Sequence, residues 1–223
     1  MSKNMMYLDA LETVHKNMKP KNYLEIGCRF GDSLSLAKCD SIGIDPNMRL
    51  KYDKPDNMTL FDITSDDYFE KQKTKKIFGS RFHLAYVDGM HLAEYALRDF
   101  INLEKESKKS SVVLFDDILP RRTEYAGRKP ASAAWCGDVY KVLRVLKQYR
   151  PDLTINVFDV AVKGLGVVTG LDRKSTVLED NYEKIEIGIL ADHFTVSDVK
   201  VLRDEFSVRP VDELAKFAKS LRA

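Results

Sequence analysis

Tyr23-Leu24-Glu25-Ile26-Gly27-Cys28-Arg29-Phe30-Gly31-Asp32-Ser33 is the stretch that decides how this 223-residue chain is read. A short apolar strand, Tyr23–Ile26, runs into a glycine turn, and a helix is expected to start at once over Asp32–Lys38. Gly27 and Gly31 would let a ligand lie against bare backbone where a Cβ would block it. A helix opening there offers unpaired N–H groups and the positive end of its dipole to an anion. Glu25, at the strand end, is a poor neighbour for a phosphate and a good one for an ammonium group. A nucleotide that carries an amino acid, such as S-adenosylmethionine (SAM), suits both features. Taken alone, the stretch also reads as an ordinary strand-to-helix turn.

Outward from this turn, short apolar strands alternate with helical spacing. A helix-like segment with Met6, Leu8, Leu11, Val14 and Met18 precedes it. Strands are expected at Ser41–Ile44, Thr59–Phe61, Phe82–Val87 and Ser111–Phe115, with helices at Ser65–Phe78, Ala93–Glu106 and Gly137–Tyr149. Leu153–Phe158 and Gly166–Thr169 follow each other directly, which fits an antiparallel hairpin at the sheet edge. The alternation predicts an α/β fold, a doubly wound and mostly parallel sheet of seven strands covered on both faces. Residues 1–175 form the main domain in this reading. Residues 176–223 form a short C-terminal appendage of the same compact unit, with a strand at Ile185–Leu190 and helices at Ser197–Glu205 and Val211–Leu221. Ser197 is the expected N-cap, and the appendage either caps the sheet edge or makes a homodimer contact.

In open α/β sheets ligands bind beyond the carboxyl ends of the strands. Here every one of the first five strands delivers an acid to that rim: Glu25, Asp45, Asp62, Asp88, and the pair Asp116-Asp117. Any one of them fits a turn or helix cap; the set of five calls for more. Asp45 can accept from ribose hydroxyls. Asp62 can accept from an adenine amino group or cap the following helix. Asp88, Asp116 and Asp117 would repel one another without a cation, and oxygen ligands suit Mg²⁺ or Mn²⁺.

Lys and Arg number 36 against 34 Asp and Glu, so the net charge of +2 gives no global signal for nucleic acid or an anionic membrane. Met1–Pro20 lacks the apolar core of a signal peptide, and no run reaches the ~18 apolar residues of a membrane span. Three cysteines without a CxxC pair fit a reducing, cytoplasmic setting. Ile118–Trp135 is a long loop, and long loops are usually lids or disordered. Its cations Arg121, Arg122, Arg128 and Lys129 fit either an acidic or phosphorylated ligand or a solvated surface.

Glu25-Ile-Gly27-x-x-x-Gly31-x-Ser33, Gly43-Ile44-Asp45, Tyr86-Val87-Asp88-Gly89-Met90-His91 with Asp99, and Leu114-Phe115-Asp116-Asp117 together resemble the class I SAM-dependent methyltransferases. The set is similar to the macrocin-type and catechol-type small-molecule O-methyltransferases, as are the Trp135–Lys141 and Lys163–Val167 segments. The resemblance covers residues 20–170. It implies a Rossmann-like fold, with Glu25, Gly27, Gly31, Ser33, Asp45 and Asp62 toward SAM. It also implies a cation on Asp88, Asp116 and Asp117, and a small-molecule or sugar acceptor. Catechol-type enzymes place a lysine base three residues after the strand-four aspartate; here that position is His91, and the macrocin-type Asp position is Met90. His91 is therefore the candidate base, with Asp88 beside it, because a neutral imidazole takes a proton near physiological pH. An NAD-dependent dehydrogenase is the rival on the same fold, but it wants G-x-G-x-x-G and has no use for Asp116-Asp117. A non-catalytic SAM-binding protein is the rival of another class.

Overall fold

The central strand β1 (Asn22–Ile26) is buried along its whole length, as a strand covered on both faces must be. The computed structural model describes residues 5–130 and 132–222. The other strands are β2 (Asp40–Ile44), β3 (Met58–Phe61), β4 (Leu84–Val87), β5 (Val112–Phe115), β6 (Thr154–Phe158) and β7 (Leu165–Thr169). They form one sheet in the order β3-β2-β1-β4-β5-β7-β6. β1 to β5 are parallel; β7 runs antiparallel to β5 and to β6. The chain reverses its strand order between β1 and β4, and the five parallel strands point their carboxyl ends to one rim. The expected seven-stranded mixed sheet with an edge hairpin is the one observed.

Two cores flank it. Alternation within β1 sends Leu24 and Ile26 to one face and Tyr23 and Glu25 to the other. The first face is covered by α2 (Ser65–Lys71), α3 (Thr74–Phe78), α4 (Ala93–Glu106) and α5 (Tyr140–Tyr149). α4 shows why: Ala93, Ala96, Leu97, Phe100 and Leu103 recur at helical spacing and are all buried. The second face is covered by α1 (Tyr7–Met18), whose Leu11, Val14 and Met18 meet Tyr23, Leu84 and Leu114.

The tail divides between the two faces. α6 (Val177–Asp180), α7 (Tyr182–Leu190) and α8 (Val201–Glu205) join the first core through Leu178, Ile185, Ile189 and Leu202. α9 (Leu214–Ser220) packs on α1.

Several local expectations need correction. No regular helix follows β1; a single 3₁₀ turn, Leu34–Leu36, stands where Asp32–Lys38 was expected. β2 begins at Asp40, so the crossover has no length for more. The anion-facing helix dipole argued from that segment is therefore absent. Ile185–Leu190 belongs to helix α7, not a strand: Ile185 and Ile189, four apart, are buried, while Ile187 between them is exposed. Ser65–Phe78 is broken into two helices at Gln72, α5 starts at Tyr140, and α8 starts at Val201 with Lys200 rather than Ser197 at its N-cap. Among the described residues no helix is long and apolar enough to cross a membrane.

Candidate functional site

A cavity of about 950 Å³ opens beyond the carboxyl ends of the parallel strands, at the upper end of the range for small-ligand sites. Gly27, Asp45 and Asn47 line it toward β2, and Thr64, Ser65 and Asp66 at the start of α2. Asp88, His91, Asp116 and Lys163 line it toward β5 and β7. Met6, Met90 and Val162, exposed by 47, 57 and 39 %, ring its mouth.

The two glycines of the turn serve different ends. Gly27 has φ of 89°, and a Cβ there would lie 2.0 Å from the carbonyl oxygen of Asp88, so the exits of β1 and β4 touch through it. Gly31, at φ 77°, makes room for Tyr52, whose hydroxyl donates to the Gly31 carbonyl at 2.7 Å. Gly27 lines the cavity; Gly31 does not.

Glu25 is also withdrawn from the cavity wall. It is fully buried, and its two carboxylate oxygens accept from Ser33 Oγ at 2.5 Å and Tyr23 Oη at 2.7 Å. Burial pushes its carboxyl up to about 8, against the lowering effect of those two hydroxyls. Glu25 and Ser33 thus hold the turn together from beneath. Asp45 works from the cavity side. Its oxygens accept from Arg29 N at 2.8 Å and Asn47 N at 2.7 Å, joining the β1 turn to the β2 exit. Asp62 is exposed and outside the cavity lining, where it accepts from Met48 N at 3.4 Å; Thr64 is the residue that caps α2.

At the β4–β5 end, His91 Nε2 lies 3.2 Å from Asp88 Oδ1 and 3.0 Å from Asp117 Oδ2. Lys163, in the β6–β7 turn, reaches the same group from the opposite side, with Nζ 2.8 Å from Asp117 Oδ1. Asp117 is 1 % exposed, and neither of its oxygens has an aligned hydrogen bond. One donor atom each from Asp88, His91 and Asp117 falls within 4.8 Å of the others, close enough to share a metal ion. Of the three acids expected to bind a cation, Asp88 and Asp117 meet in this cluster, and His91 takes the third place. Asp116 lines the cavity beside them.

These charges shape one another. Burial pushes the Asp88 carboxyl up, with the Asp117 charge adding to it and His91 opposing. Burial and the charges of Asp88 and Asp117 push Asp116 well above the usual carboxylate range. Burial alone would lower the His91 pKa, but the closeness of the Asp117 and Asp88 carboxylates outweighs it and raises it to about 10. The two carboxylates thus favour the protonated ring as long as no cation lies between them, and a protonated ring cannot accept a proton.

The Ile118–Trp135 loop is folded over this end. Arg128 Nη1 and Nη2 donate to Glu94 at 2.9 and 2.5 Å, and Nη1 also donates to Asp138 at 2.8 Å. Asp138 accepts in turn from Ala93 N at 2.9 Å, capping α4 where Leu92 cannot. Arg122 pairs with Glu124. Two of the four loop cations are therefore engaged within the protein. The loop also delivers Trp135, which stacks on His91, and donates from its indole Nε1 to the Gly127 carbonyl at 2.6 Å.

Lys163, Trp135 and Tyr7 are not among the expected site residues, although Trp135 and Lys163 open two of the segments that carry the resemblance. Lys163 carries a visible signal, since a lone cation in the Val162–Gly164 turn of an edge hairpin is placed at the rim. Tyr7 carries none, because helical spacing marks it only as part of α1.

No family model and no curated protein matches the sequence. Solved structures do match in shape. SAH-bound methyltransferase PaMTH1 of Podospora anserina aligns at a TM-score of 0.55 and 15 % identity, over 74 % of this chain and 78 % of its own. Cofactor-bound Rv0187 from MTB aligns at 0.55 and 11 %, over 75 % and 82 %. The O-methyltransferase TomG of Streptomyces achromogenes, in complex with SAM and involved in tomaymycin synthesis, aligns at 0.52 and 14 %, over 72 % and 77 %. At these identities the likeness is one of fold, and the chain has the fold of the SAM-binding O-methyltransferases.

Proposed function

We propose that this protein is a SAM-dependent O-methyltransferase, assisted by Mg²⁺ or Mn²⁺, that acts on a hydroxyl of a small molecule or sugar. The observation that supports it most is the cavity's two ends: a glycine turn tied to Asp45 at one, and Asp88, His91 and Asp116 at the other, with the buried Asp117 converging on Asp88 and His91 just behind that wall.

The residues present fit both groups. For SAM, Gly27 lines the cavity with no side chain to block a ligand, and Asp45 keeps lone pairs for ribose hydroxyls beyond its two backbone bonds. Glu25, Gly31 and Ser33 would serve SAM by holding the turn, and Asp62 by steadying the segment at Met48. For a hard cation, the donors are oxygen and imidazole nitrogen, and the buried Asp117 oxygens lack aligned hydrogen bonds. When bound, SAM supplies an electrophilic methyl group and the cation supplies positive charge that favours an ionised acceptor oxygen.

The chain's own residues do the rest. Asp88, Asp117 and His91 hold the cation, with Asp116 beside them. Trp135 covers the His91 ring and shields that side from water. Met6, Met90 and Val162 at the mouth suit an acceptor with an apolar body. The engagement of Arg128 and Arg122 within the loop argues against selection of a phosphorylated acceptor. With its lone pair on the cation His91 has none left for a proton, so the acceptor's hydroxyl proton would pass to solvent water or to Asp116 beside the cluster. Direct displacement needs no covalent enzyme intermediate.

The second reading is a non-catalytic SAM-binding protein, favoured by the position of His91 Nε2 between two carboxylates, which strengthens its hold on a proton. Incubating the protein with labelled SAM and a pool of hydroxylated small molecules, with Mg²⁺ or with excess EDTA, separates the two. Labelled product that disappears with EDTA supports the enzyme; SAM binding without any product supports the alternative.

A further inference from the structure

Asp117 is the most deeply placed carboxylate of the cluster, and two cationic groups already claim it. Its Oδ2 faces His91 at 3.0 Å and its Oδ1 faces Lys163 at 2.8 Å. A buried carboxylate must be compensated, and here the compensation comes from the chain itself. The two partners differ in how they are held. His91 is sandwiched between Asp88 and Trp135. Lys163 is fixed only at its backbone: its carbonyl accepts from Leu119 N at 2.6 Å, and the next residue, Gly164, fits against Leu119 so closely that a Cβ would lie 2.4 Å from it. Its side chain is 25 % exposed and lines the cavity, so the ammonium can leave Asp117 while the turn stays in place.

We propose that Lys163 is a tethered counter-cation that occupies Asp117 in place of a divalent ion and thereby sets the metal affinity of the site. This rests on the reading that Asp88, His91 and Asp117 hold the cation. A divalent ion on Asp117 must displace the ammonium from Oδ1 and then tolerate a like charge a few ångströms away, at a site where burial weakens screening. Lys163 therefore lowers metal affinity, although it lies among the carboxylates of Asp88, Asp116 and Asp117. The device would keep the cluster folded and charge-compensated in the absence of metal, and let ion exchange follow free metal concentration.

The test is Mn²⁺ binding to the whole chain, without SAM or acceptor, by titration calorimetry and by electron paramagnetic resonance of free Mn²⁺. Lys163→Met should bind Mn²⁺ at least about ten-fold more tightly than wild type, and Lys163→Arg, which keeps the charge, within about three-fold of it. Asp117→Asn should weaken binding in every background. Equal or weaker binding by Lys163→Met overturns the proposal while leaving the metal reading intact. Absence of Mn²⁺ binding in both wild type and Lys163→Met overturns both. Melting in EDTA checks folding of each variant, and Lys163→Gln takes the place of Lys163→Met if the latter does not fold.

Discussion

Trp135 lies nearly parallel to the His91 imidazole, with ring centroids 5.0 Å apart and planes 27° from each other. It is the chain's single tryptophan, so its emission reports on the cluster without labelling. Trp135→Ala should lower kcat/KM for the acceptor about ten-fold or more by letting water and misplaced acceptors into the site. Its SAM affinity should stay within a few-fold of wild type. Titrating wild type with Mn²⁺ should change the tryptophan emission, and Asp117→Asn should abolish that change. An emission that ignores metal would place the ion elsewhere.

Asp45 has two tasks, and they separate by measurement. Asp45→Ala should weaken SAM binding by about 1–3 kcal/mol, the scale of a lost hydrogen bond to a charged group. It should also lower the melting temperature without SAM, because Arg29 N and Asn47 N lose their acceptor. Asp45→Asn keeps one carbonyl oxygen and should fall between. Unchanged SAM affinity in calorimetry would exclude Asp45 from the cofactor's reach.

Glu25 predicts a decline of stability on the alkaline side. Its carboxyl is raised by burial to about 8 from an ordinary value of 4.5, so between those values the folded state keeps a proton that the unfolded chain releases. The stabilisation is complete below pH 4.5 and is lost as pH rises to about 8. Glu25→Gln removes that ionisation. The stability of the variant relative to wild type, from urea unfolding, should climb between pH 5 and pH 8 and level off above. A difference independent of pH would mean that Glu25 is already ionised in the fold.

His15 gives the opposite limb. Burial lowers its pKa from 6.5 to about 4, and neither ring nitrogen has a partner. The unfolded chain binds the proton first, so stability present above pH 6.5 drains away as pH falls toward 4. His15→Phe, which keeps an edge-on ring contact with Tyr23, should flatten the acid limb of the stability–pH curve. The acid limb of a Lys16→Gln control on the same helix should be unaltered.

Arg128 fastens the loop. Arg128→Met leaves Glu94 and the buried Asp138 without their guanidinium, and should cost about 1–3 kcal/mol, between the values for exposed and buried ion pairs. Limited proteolysis should then cut within residues 118–135 faster than in wild type. A loop equally resistant without Arg128 would show that the Trp135 indole bond to Gly127 and the bond from Cys136 N to the Tyr125 carbonyl at 2.9 Å suffice to hold it.

The sheet was legible in the sequence because each parallel strand is a short apolar run ended by an acid, and burial on both faces demands such runs. Asp45, Asp88 and Asp116, the strand-end acids that line the cavity, stand out in the sequence for the same reason. What escaped were features set by distance rather than by pattern. Asp32–Lys38 directly follows a strand and a glycine turn, as a crossover helix would, but the start of β2 at Asp40 leaves room only for a 3₁₀ turn. Ile185, Ile187 and Ile189 alternate like a strand, yet only tertiary packing shows that Ile185 and Ile189 face a helical core. Glu25 looked like a ligand-facing acid from its place at a strand end; the pleat turns it to the opposite face, where Tyr23 and Ser33 bind it. Lys163 and Asp117 are far apart in the chain, and their 2.8 Å approach exists only in the folded sheet.

The segment Met5–Tyr7 enters the cavity wall from outside the strand–helix alternation. Met6 bridges to Ala161, whose N–H donates to the Met5 carbonyl at 2.9 Å, and both Met6 and Tyr7 line the cavity. On the proposed reading, the wall that would meet an acceptor is assembled from a strap and a hairpin turn, while Asp45 and the acids after β4 and β5 are carried by the parallel strands, so selectivity and chemistry would be housed in separable parts. Replacing a few residues of the strap would re-tailor which molecules enter, with the sheet and its acids left as they are.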